Sequence, residues 1–266
     1  MSAAVGRLRD WLGDPLLVRG VGGYALTTRA EELIDPLRCI LEDIERTLQK
    51  PADFDPASAQ RTFRIAANDA FELVVLPPLV RHLQQTAPQV RLVIESTEGE
   101  IPVEALSSGT VDVAWGHFDA IPPGLRTEVM MDDTLACLVR PGHPTIHGEL
   151  SLMQFCTAAH LVVALKGNTL PSLMQRRMAE SGLALNIALT VPHMLAAPVI
   201  VLTSDYLLTL PTRVARCYAD LLGLEFLPLP FDYPPFALSL VWHERTHRDP
   251  ATAWFRSTLK SVCGTI

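Results

Sequence analysis

The sequence predicts an α/β fold with two subdomains, preceded by a helix, a hairpin and a long helix. Two stretches, residues 61–115 and 161–229, alternate short apolar runs with segments of helical periodicity. Such alternation is typical of a sheet of parallel strands covered by helices. A break rich in proline and glycine at 140–144 lies between the two stretches. We therefore expect each stretch to form its own sheet.

The first fifty residues predict a helix, a hairpin and a second helix. Residues 2–12 have the periodicity of a short amphipathic helix, which Gly13 ends because glycine accepts a left-handed exit. Residues 16–26 predict a hairpin with a glycine-rich tip, and Thr28 and Glu31 have the spacing of a capping box. The long helix that follows carries an apolar stripe formed by Leu33, Leu37, Ile40, Leu41, Ile44 and Leu48. This order is that of the second half of a winged helix-turn-helix followed by a dimerising linker helix.

Residues 51–60 predict a hinge, because they combine Pro, Asp, Ala and Ser without apolar periodicity. The first α/β unit follows, and in it the Asn68-Asp69 pair is a strong helix cap. The predicted elements of this unit are a strand at 61–67, a helix from the Asn68-Asp69 cap to Leu83, a strand at 90–94, a short helix that ends at Gly109, and a strand at 111–115.

The second α/β unit is predicted to follow a strand at 134–139 and the break at 140–144. Its predicted elements are strands at 161–164, 187–191, 206–210 and 225–229 and helices at 171–180, 194–202 and 212–221. A late strand at 237–242 and a final helix capped by Asp249-Pro250 are free to return to the first unit. We therefore expect lobe I to comprise 61–139 and 237–266, and lobe II to comprise 140–236.

Composition excludes several classes of protein. Of the 266 residues 48% are hydrophobic, which is enough for more than one core. No run of eighteen apolar residues lacks charge or proline, and the first residues lack the pattern of a secretory signal. We therefore expect a cytoplasmic protein that does not enter a membrane. The five cysteines stand singly, without a CxxC pair, which favours reduced thiols over a disulfide framework or a zinc site.

Three common enzyme motifs are absent from the sequence. It contains no GxSxG, Walker or GxGxxG motif, and the glycines at 20–23 lie in a hairpin tip instead of between a strand and a helix. His143 and His147 flank the proline break, where no helix would place both on one face as a metal pair. We expect a protein that is not an enzyme and that has no metal or other cofactor.

The charge distribution is compatible with a DNA-facing end. The net charge of the whole chain is −7, which by itself disfavours binding to nucleic acid. Residues 1–29, however, carry four arginines against two aspartates and have a net charge of +2, which leaves −9 for the rest of the chain. A mildly basic end on an acidic body is a common arrangement in DNA-binding proteins.

The run RLRDWLGDPLLVRGVGGYALTTRAEELIDPL at 7–37 resembles the LysR-type transcriptional regulators. The resemblance is strongest to the branch that holds the nodulation regulators and the naphthalene/salicylate-responsive regulators. It extends through FRIAANDAFELVVLPPL, LTVPHMLAAPVIVLTSDYLLTLP and SLVWHERTHRDPATAWFR, and so covers essentially the whole chain. It implies a bilobed effector-binding domain with the type-2 periplasmic-binding-protein fold, preceded by a winged helix-turn-helix.

The resemblance also implies a domain order. Residues 1–27 would be the recognition helix and wing, 28–50 the linker and dimerisation helix, 51–60 the hinge and 61–266 the effector-binding domain. In the family a first helix and a positioning helix precede this stretch, so the winged helix-turn-helix is partial. We expect either that the true start lies upstream of Met1 or that the protein is truncated.

Polar residues at strand ends and helix starts predict a ligand site between the two lobes. In α/β folds ligands bind beyond the carboxyl ends of the strands, where helix N–H groups face anions. Four places satisfy this criterion: Asn68-Asp69, Ser96-Thr97, Thr169 and Val191-Pro192-His193. The family resemblance implies an aromatic carboxylate held by His160, His193 and Arg248, with the loops of Asn68, Ser96 and Thr97 around it. Imidazoles and a guanidinium suit such a ligand, because they donate hydrogen bonds to oxygen and stack on rings.

The resemblance also implies DNA contacts at the N-terminal end. Ser2 and Arg7 match positions of the recognition helix, Arg19 lies at the wing, and Thr27 matches a phosphate contact. Arg9 is either a further DNA contact or a solvated face residue. The implied partners are promoter DNA, given a complete N-terminus, a small-molecule effector and further copies of the chain in a homodimer or homotetramer.

An alternative function also fits the sequence. The chain is then a small-molecule binding protein, or an enzyme with the type-2 binding fold, that carries a non-functional DNA-binding remnant. A secretion signal or a catalytic triad upstream favours this alternative, whereas upstream codons for two helices favour the regulator.

Overall fold

The computed structural model describes residues 3–20, 22–48, 54–97, 99–164, 178–179 and 184–266. The chain divides into two compact units, Met1–Asp53 and Phe54–Ile266. No helix of the described residues is long and apolar enough to cross a membrane. Ser2, Thr169 and most of the helix predicted at 171–180 lie outside the described residues.

The first unit has the predicted helix–hairpin–helix order. Its elements are α1 (Ala3–Leu12), β1 (Leu17–Gly20), β2 (Gly23–Leu26) and α2 (Thr28–Leu48), and β1 pairs antiparallel with β2. Gly13 has a φ of 65°, and its N–H donates to the carbonyl of Arg9, so this glycine ends α1 as predicted.

The cap of α2 differs by one residue from the predicted capping box. Thr27 is the cap, because its Oγ1 accepts a hydrogen bond from the N–H of Ala30 at 3.1 Å. Thr28 is then the first helical residue. Asp14 holds Thr27 in place, since the Thr27 hydroxyl donates to its carboxylate at 2.7 Å.

The second unit contains two five-stranded sheets. In chain order its elements are β3 (Thr62–Ala67), α3 (Asp69–Val74), α4 (Leu76–Thr86), β4 (Arg91–Ser96), α5 (Val103–Ser108), β5 (Val113–Gly116), β6 (Leu125–Asp133), β7 (Leu135–Val139), α6 (Leu152–Thr157), β8 (Ala159–Val163), β9 (Asn186–Val191), α7 (Ala197–Leu202), β10 (Leu207–Pro211), α8 (Thr212–Leu222), β11 (Glu225–Pro228), β12 (Phe236–His243), a short 3₁₀ helix (Glu244–Thr246) and α9 (Pro250–Cys263).

The two sheets define two lobes with the same strand pattern. The strand order is β4-β3-β5-β12-β6 in lobe I and β9-β8-β10-β7-β11 in lobe II. In each lobe the first three strands of this order are parallel and the last two antiparallel to their neighbours. The fourth strand of each sheet is the first strand after the chain crosses from the other lobe. The predicted α/β architecture is therefore confirmed.

The crossing between the lobes lies earlier than the sequence predicts. We expected 134–139 to be the last strand of lobe I, but β7 pairs with β10 and β11 and belongs to the sheet of lobe II. The chain crosses at Thr134, between β6 and β7. The prediction went wrong because β6 was missed: it is an edge strand, paired only with β12, and most of its first half is exposed.

Prolines explain a second difference. The sequence predicts one helix from Asn68 to Leu83, whereas the structure has α3 and then α4. Pro77 and Pro78 have no N–H to donate to the preceding turn, so they suit the first turn of a new helix. Asn68 caps α3 as predicted, since its side-chain oxygen accepts from the N–H of Phe71.

Helix α3 packs against both lobes. Phe71 lies in the core of lobe I, where it is fully buried beside Trp115. On another face of the helix, Ala70 and Leu73 pack against the core of lobe II. The short helix therefore lies where the two lobes meet.

Candidate ligand-binding cavity

A mostly apolar cavity lies between the two lobes of the second unit. The C-terminal ends of β3, β4 and β5 and the start of β12 form its lobe I wall, and β8, β10 and the start of α8 form its lobe II wall. The cavity has a volume of about 90 Å³, which is room for several waters or a small organic molecule. Its polar lining residues are Asn68, Thr97, His117, Asp133, His160, Thr209 and Arg213.

The apolar lining suits an aromatic ring. Its aromatic side chains are Trp115, Phe118 and Phe236, and its aliphatic ones include Met131, Leu135, Met194 and Val214. Aromatic and aliphatic walls with a few convergent polar groups are typical of small-molecule sites.

The structure brings together three of the six residues predicted to bind the effector. Asn68, Thr97 and His160 all line the cavity. Ser96, the exposed last residue of β4, does not line it, whereas the next residue, Thr97, does. His193 is also exposed and outside the lining, although its neighbour Met194 is in the wall.

Arg248 lies at the opposite end of lobe I from the cavity. Strand β12 begins at the cavity with Phe236 and ends at His243, about 24 Å away for seven extended steps. Arg248 follows that far end, after the 3₁₀ helix, and is exposed. The described geometry therefore does not join Arg248 to the cavity residues.

Among the described residues, Arg213 is the cationic side chain of the cavity wall. It follows the end of β10 in the first turn of α8. Its Nη1 donates to the carbonyl of Asp132 at 2.6 Å and lies 3.4 Å from the carboxylate of Asp133. Its Nε is buried, so a ligand in the cavity does not reach this atom. Its Nη2 makes no hydrogen bond to the described residues and the side chain is 30% exposed, so the guanidinium keeps donor capacity at Nη2.

Asp133 lies at the crossing between the lobes and is almost completely buried. Burial raises the pKa of its carboxyl, an effect that the N–H of Thr134 and the charge of Arg213 partly offset. Arg213 and Asp133 do not form a close bidentate pair, because Nη1 of Arg213 also donates to the backbone carbonyl of Asp132. The carboxylate therefore compensates the charge of Arg213 only in part.

Helix N–H groups at the cavity are already occupied. In the first turn of α8, the N–H of Thr212 donates to the carbonyl of Thr134 at 2.8 Å, and that of Arg213 to Asp133 at 3.4 Å. Ahead of α7, the N–H groups of Met194 and Leu195 both donate to Asp69. Anion binding by these particular N–H groups, as the sequence led us to expect, would have to displace protein acceptors. Arg213 is therefore the better candidate for an anion.

His160 presents a neutral acceptor, not a cationic donor, to a ligand in the cavity. Its Nε2 donates to the carbonyl of Phe155 at 2.6 Å, and its ring lies edge-on to that of Phe155. Burial lowers the pKa of His160, and this hydrogen bond only partly offsets the effect. The nitrogen left for a ligand is Nδ1, which accepts a hydrogen bond in the neutral ring.

His117 is a second cavity imidazole, which the sequence reasoning missed. It directly follows β5, and its Nδ1 donates to the carbonyl of Ala237 at 3.0 Å. Arg213 was missed as well. Both satisfy the criterion that selected Asn68, since each lies just beyond a strand end, so applying that criterion to every predicted strand would have found them.

The residues of the first unit that were predicted to contact DNA differ in their exposure. Arg7 and Arg19 are exposed, whereas Arg9 is half-buried. The hydroxyl of Thr27 is bound to Asp14 and caps α2, so it is less available to a phosphate.

Two α/β lobes with a cavity between them at the strand ends define a small-molecule-binding domain of the type-2 periplasmic-binding-protein class. Residues 56–264 match the family described as the LysR substrate binding domain. The chain belongs to the LysR family of DNA-binding transcriptional regulators.

Similar proteins agree with this assignment. The chain is 32% identical to the HTH-type transcriptional activator NahR of Pseudomonas putida, over 97% of this chain and 86% of that protein. It is also 32% identical to the HTH-type transcriptional regulator SyrM of Rhizobium meliloti, over 100% of this chain and 80% of that one. A solved structure of a probable transcriptional regulator from Pseudomonas aeruginosa superposes with a TM-score of 0.72 at 37% identity, covering 97% of this chain and 85% of that chain. These relatives are transcriptional regulators, not enzymes.

Proposed function

We propose that this regulator responds to a small aromatic carboxylate that binds in the cavity between its two lobes. The carboxylate would accept hydrogen bonds from Arg213, and the ring would lie among Trp115, Phe118 and Phe236. Asn68 and Thr97 would contribute further polar contacts.

The observation that carries this proposal is the spare donor capacity of Arg213 in a mostly apolar cavity. The Nη2 of Arg213 makes no hydrogen bond to the described residues, and a hydrogen bond from a guanidinium to a carboxylate is charge-assisted and strong. The backbone N–H groups at the start of α8 and just before α7 are held by Asp133, Thr134 and Asp69. An acid in the cavity therefore has its strongest available partner in Arg213.

Arg213→Gln should weaken binding of an aromatic acid. A hydrogen bond to a charged group contributes about 1.5–3 kcal/mol, so the dissociation constant of benzoate or salicylate should rise roughly 10- to 150-fold. Isothermal titration calorimetry on the purified chain measures this change. Arg216→Gln is the matched control, because Arg216 lies on the same helix but is exposed and stacks 4.9 Å above the ring of Phe226.

Two outcomes would contradict the proposal separately. If neither benzoate nor salicylate binds the parent chain, the effector class is wrong. If an acid binds the parent and the Arg213→Gln variant equally, the acid is in the cavity without using Arg213, or lies elsewhere. Unchanged binding to the Arg216→Gln variant is expected in every case.

We also propose the DNA-facing residues and the assembly. Arg7 and Arg19 are exposed on α1 and the hairpin, where they would contact DNA, with Ser2, Arg9 and Thr27 as further candidates. The protein would act in the cytoplasm as a homodimer or homotetramer on promoter DNA. The effector would act by selecting one spacing of the lobes, since a ligand shifts an equilibrium only through its different affinity for the two states.

A further inference from the structure

Asp69 ties the two lobes together at a place separate from the crossing strands. It is the first residue of α3 in lobe I. Its Oδ2 accepts the N–H of Met194 at 2.6 Å and that of Leu195 at 3.2 Å, both in lobe II. Hydrogen bonds to an ionised carboxylate are shorter and about twice as strong as neutral ones. Any motion that separates α3 from residues 194–195 must break both bonds.

The two ends of this tie are next to the cavity. Asn68 and Ala70, on either side of Asp69, line the cavity, and so does Met194. Met194 is only 5% exposed and belongs to the core of lobe II. The carboxylate of Asp69 therefore holds a cavity-lining residue of one lobe against a cavity-lining segment of the other.

We propose that Asp69 is a positioning residue that couples occupancy of the cavity to the spacing of the lobes. Asp69 is not part of the cavity lining. It keeps Met194 in the wall, so the complete cavity exists only while the tie is made. A ligand that contacts both walls then favours the tied state, and by reciprocity the tie favours the ligand by the same factor. This coupling rests on the proposed function, whereas the tie itself does not.

The tie differs from the contacts at the crossing. At Thr134 the lobes are covalently continuous, and Thr212 donates to the Thr134 carbonyl there. Those bonds can persist while the lobes turn about the crossing. The bonds of Asp69 join residues that are 125 and 126 positions apart in the chain. No short covalent connection therefore keeps Asp69 close to Met194 and Leu195.

Amide hydrogen exchange of the full chain tests the tie without a ligand. In an Asp69→Ala variant the N–H groups of Met194 and Leu195 should exchange at least tenfold faster, while that of Thr212 keeps its rate. Asp69→Asn should recover part of the protection, because its amide oxygen still accepts. Glu72→Gln is the matched control: it removes the same charge from the same helix at an exposed position, and should leave all three rates unchanged.

Salicylate is the probe for the coupling. At saturation it should slow exchange at Met194 and Leu195 in the parent chain. The dissociation constant of salicylate should rise in Asp69→Ala by about the factor by which salicylate slows exchange in the parent chain. It should stay unchanged in Glu72→Gln.

Each of the other outcomes would contradict a defined part of the proposal. Unchanged exchange in Asp69→Ala, or equal acceleration at Thr212, would show that Asp69 is no separate tie between the lobes. Faster exchange with unaltered salicylate affinity would leave a tie that is not coupled to the cavity, and would overturn the proposal as stated. If salicylate fails to bind the parent chain, the effector class is wrong, and the ligand-free comparison still decides the tie.

Discussion

At the scale of single residues, the described part of the cavity lining contains two imidazoles and one guanidinium, and their nitrogens make different hydrogen bonds. His160 and His117 each donate one ring N–H to a backbone carbonyl. Arg213 donates through Nη1, and its Nε lacks a partner among the described residues. Side chains that are fixed by the protein in this way orient a ligand with little loss of conformational entropy on binding.

The neutral state of His160 should make stability depend on pH. Burial lowers the pKa of His160 below its ordinary value of 6.5, so the unfolded chain takes up a proton here before the folded chain does. The free energy of unfolding should therefore fall as the pH drops below about 6.5, by up to about 1.4 kcal/mol per pH unit for this group. Urea unfolding at pH 7.5 and 5.5 measures it.

His160→Gln is the comparison for this prediction. A Gln amide can still donate to the carbonyl of Phe155 but does not titrate. The variant should lose less stability than the parent between the two pH values. Equal losses would show that His160 takes up its proton alike in the folded and unfolded chains.

The sequence predicted the cavity only in part at this scale. Asn68 and Thr97 were predicted from local signals, because they lie at a helix cap and beyond a strand end, whereas His160 was implied by the family resemblance. Asp133 was missed because its place depends on which sheet β7 joins, which is a long-range pairing. The partners that occupy the helix N–H groups, such as Asp69 for Met194, come from the other lobe and have no local signal at all.

At the scale of elements, α2 has an apolar stripe without a described partner. Ile34, Leu37, Ile40, Leu41 and Ile44 are all between 39% and 59% exposed in the single chain. A helix in water keeps such a stripe only if another surface covers it. A second copy of the chain is the proposed cover.

An Ile40→Asp, Ile44→Asp double variant should therefore shift the protein toward monomer or toward aggregation. The two carboxylates would have to be buried unpaired in the seam, at a cost of several kcal/mol. Sedimentation velocity measures the change. Cys39→Asp is the control, because Cys39 is exposed and lies on another side of the helix. An unaltered oligomer in the double variant would place the interface elsewhere.

Most element boundaries were predictable where a cap or a proline marks them. Asp249 caps α9 as expected, with its side chain accepting from the N–H of Thr252. Edge strand β6 was not predictable in the same way, because its exposed first half lacks a clear apolar face.

At the scale of the whole molecule, the two lobes share one strand pattern. In each sheet the fourth strand, β7 or β12, is the first strand after the chain has crossed from the other lobe. Helix α3 packs into both cores. The sequence predicted two α/β units correctly, since periodicity is local, but it placed β7 in lobe I, whereas β7 pairs in the sheet of lobe II.

These shared elements should make the lobes unfold together. Calorimetry of residues 54–266 should show one transition, with equal calorimetric and van't Hoff enthalpies. Two separated transitions would mean that the crossing strands, α3 and the Asp69 tie do not join the lobes energetically.

The position of β12 has a consequence for synthesis on the ribosome. This strand lies between β5 and β6, and after it comes α9, whose Phe255 stacks on Phe63 with ring centroids 4.2 Å apart. The half of the domain that is translated first therefore lacks a central strand and a core helix until the last segment has left the exit tunnel. The half translated second is encoded without interruption from β7 to β11 and can close earlier. Nascent chains would carry an unfinished β5 and β6 edge, the kind of surface that chaperones bind, while residues 134–235 are translated.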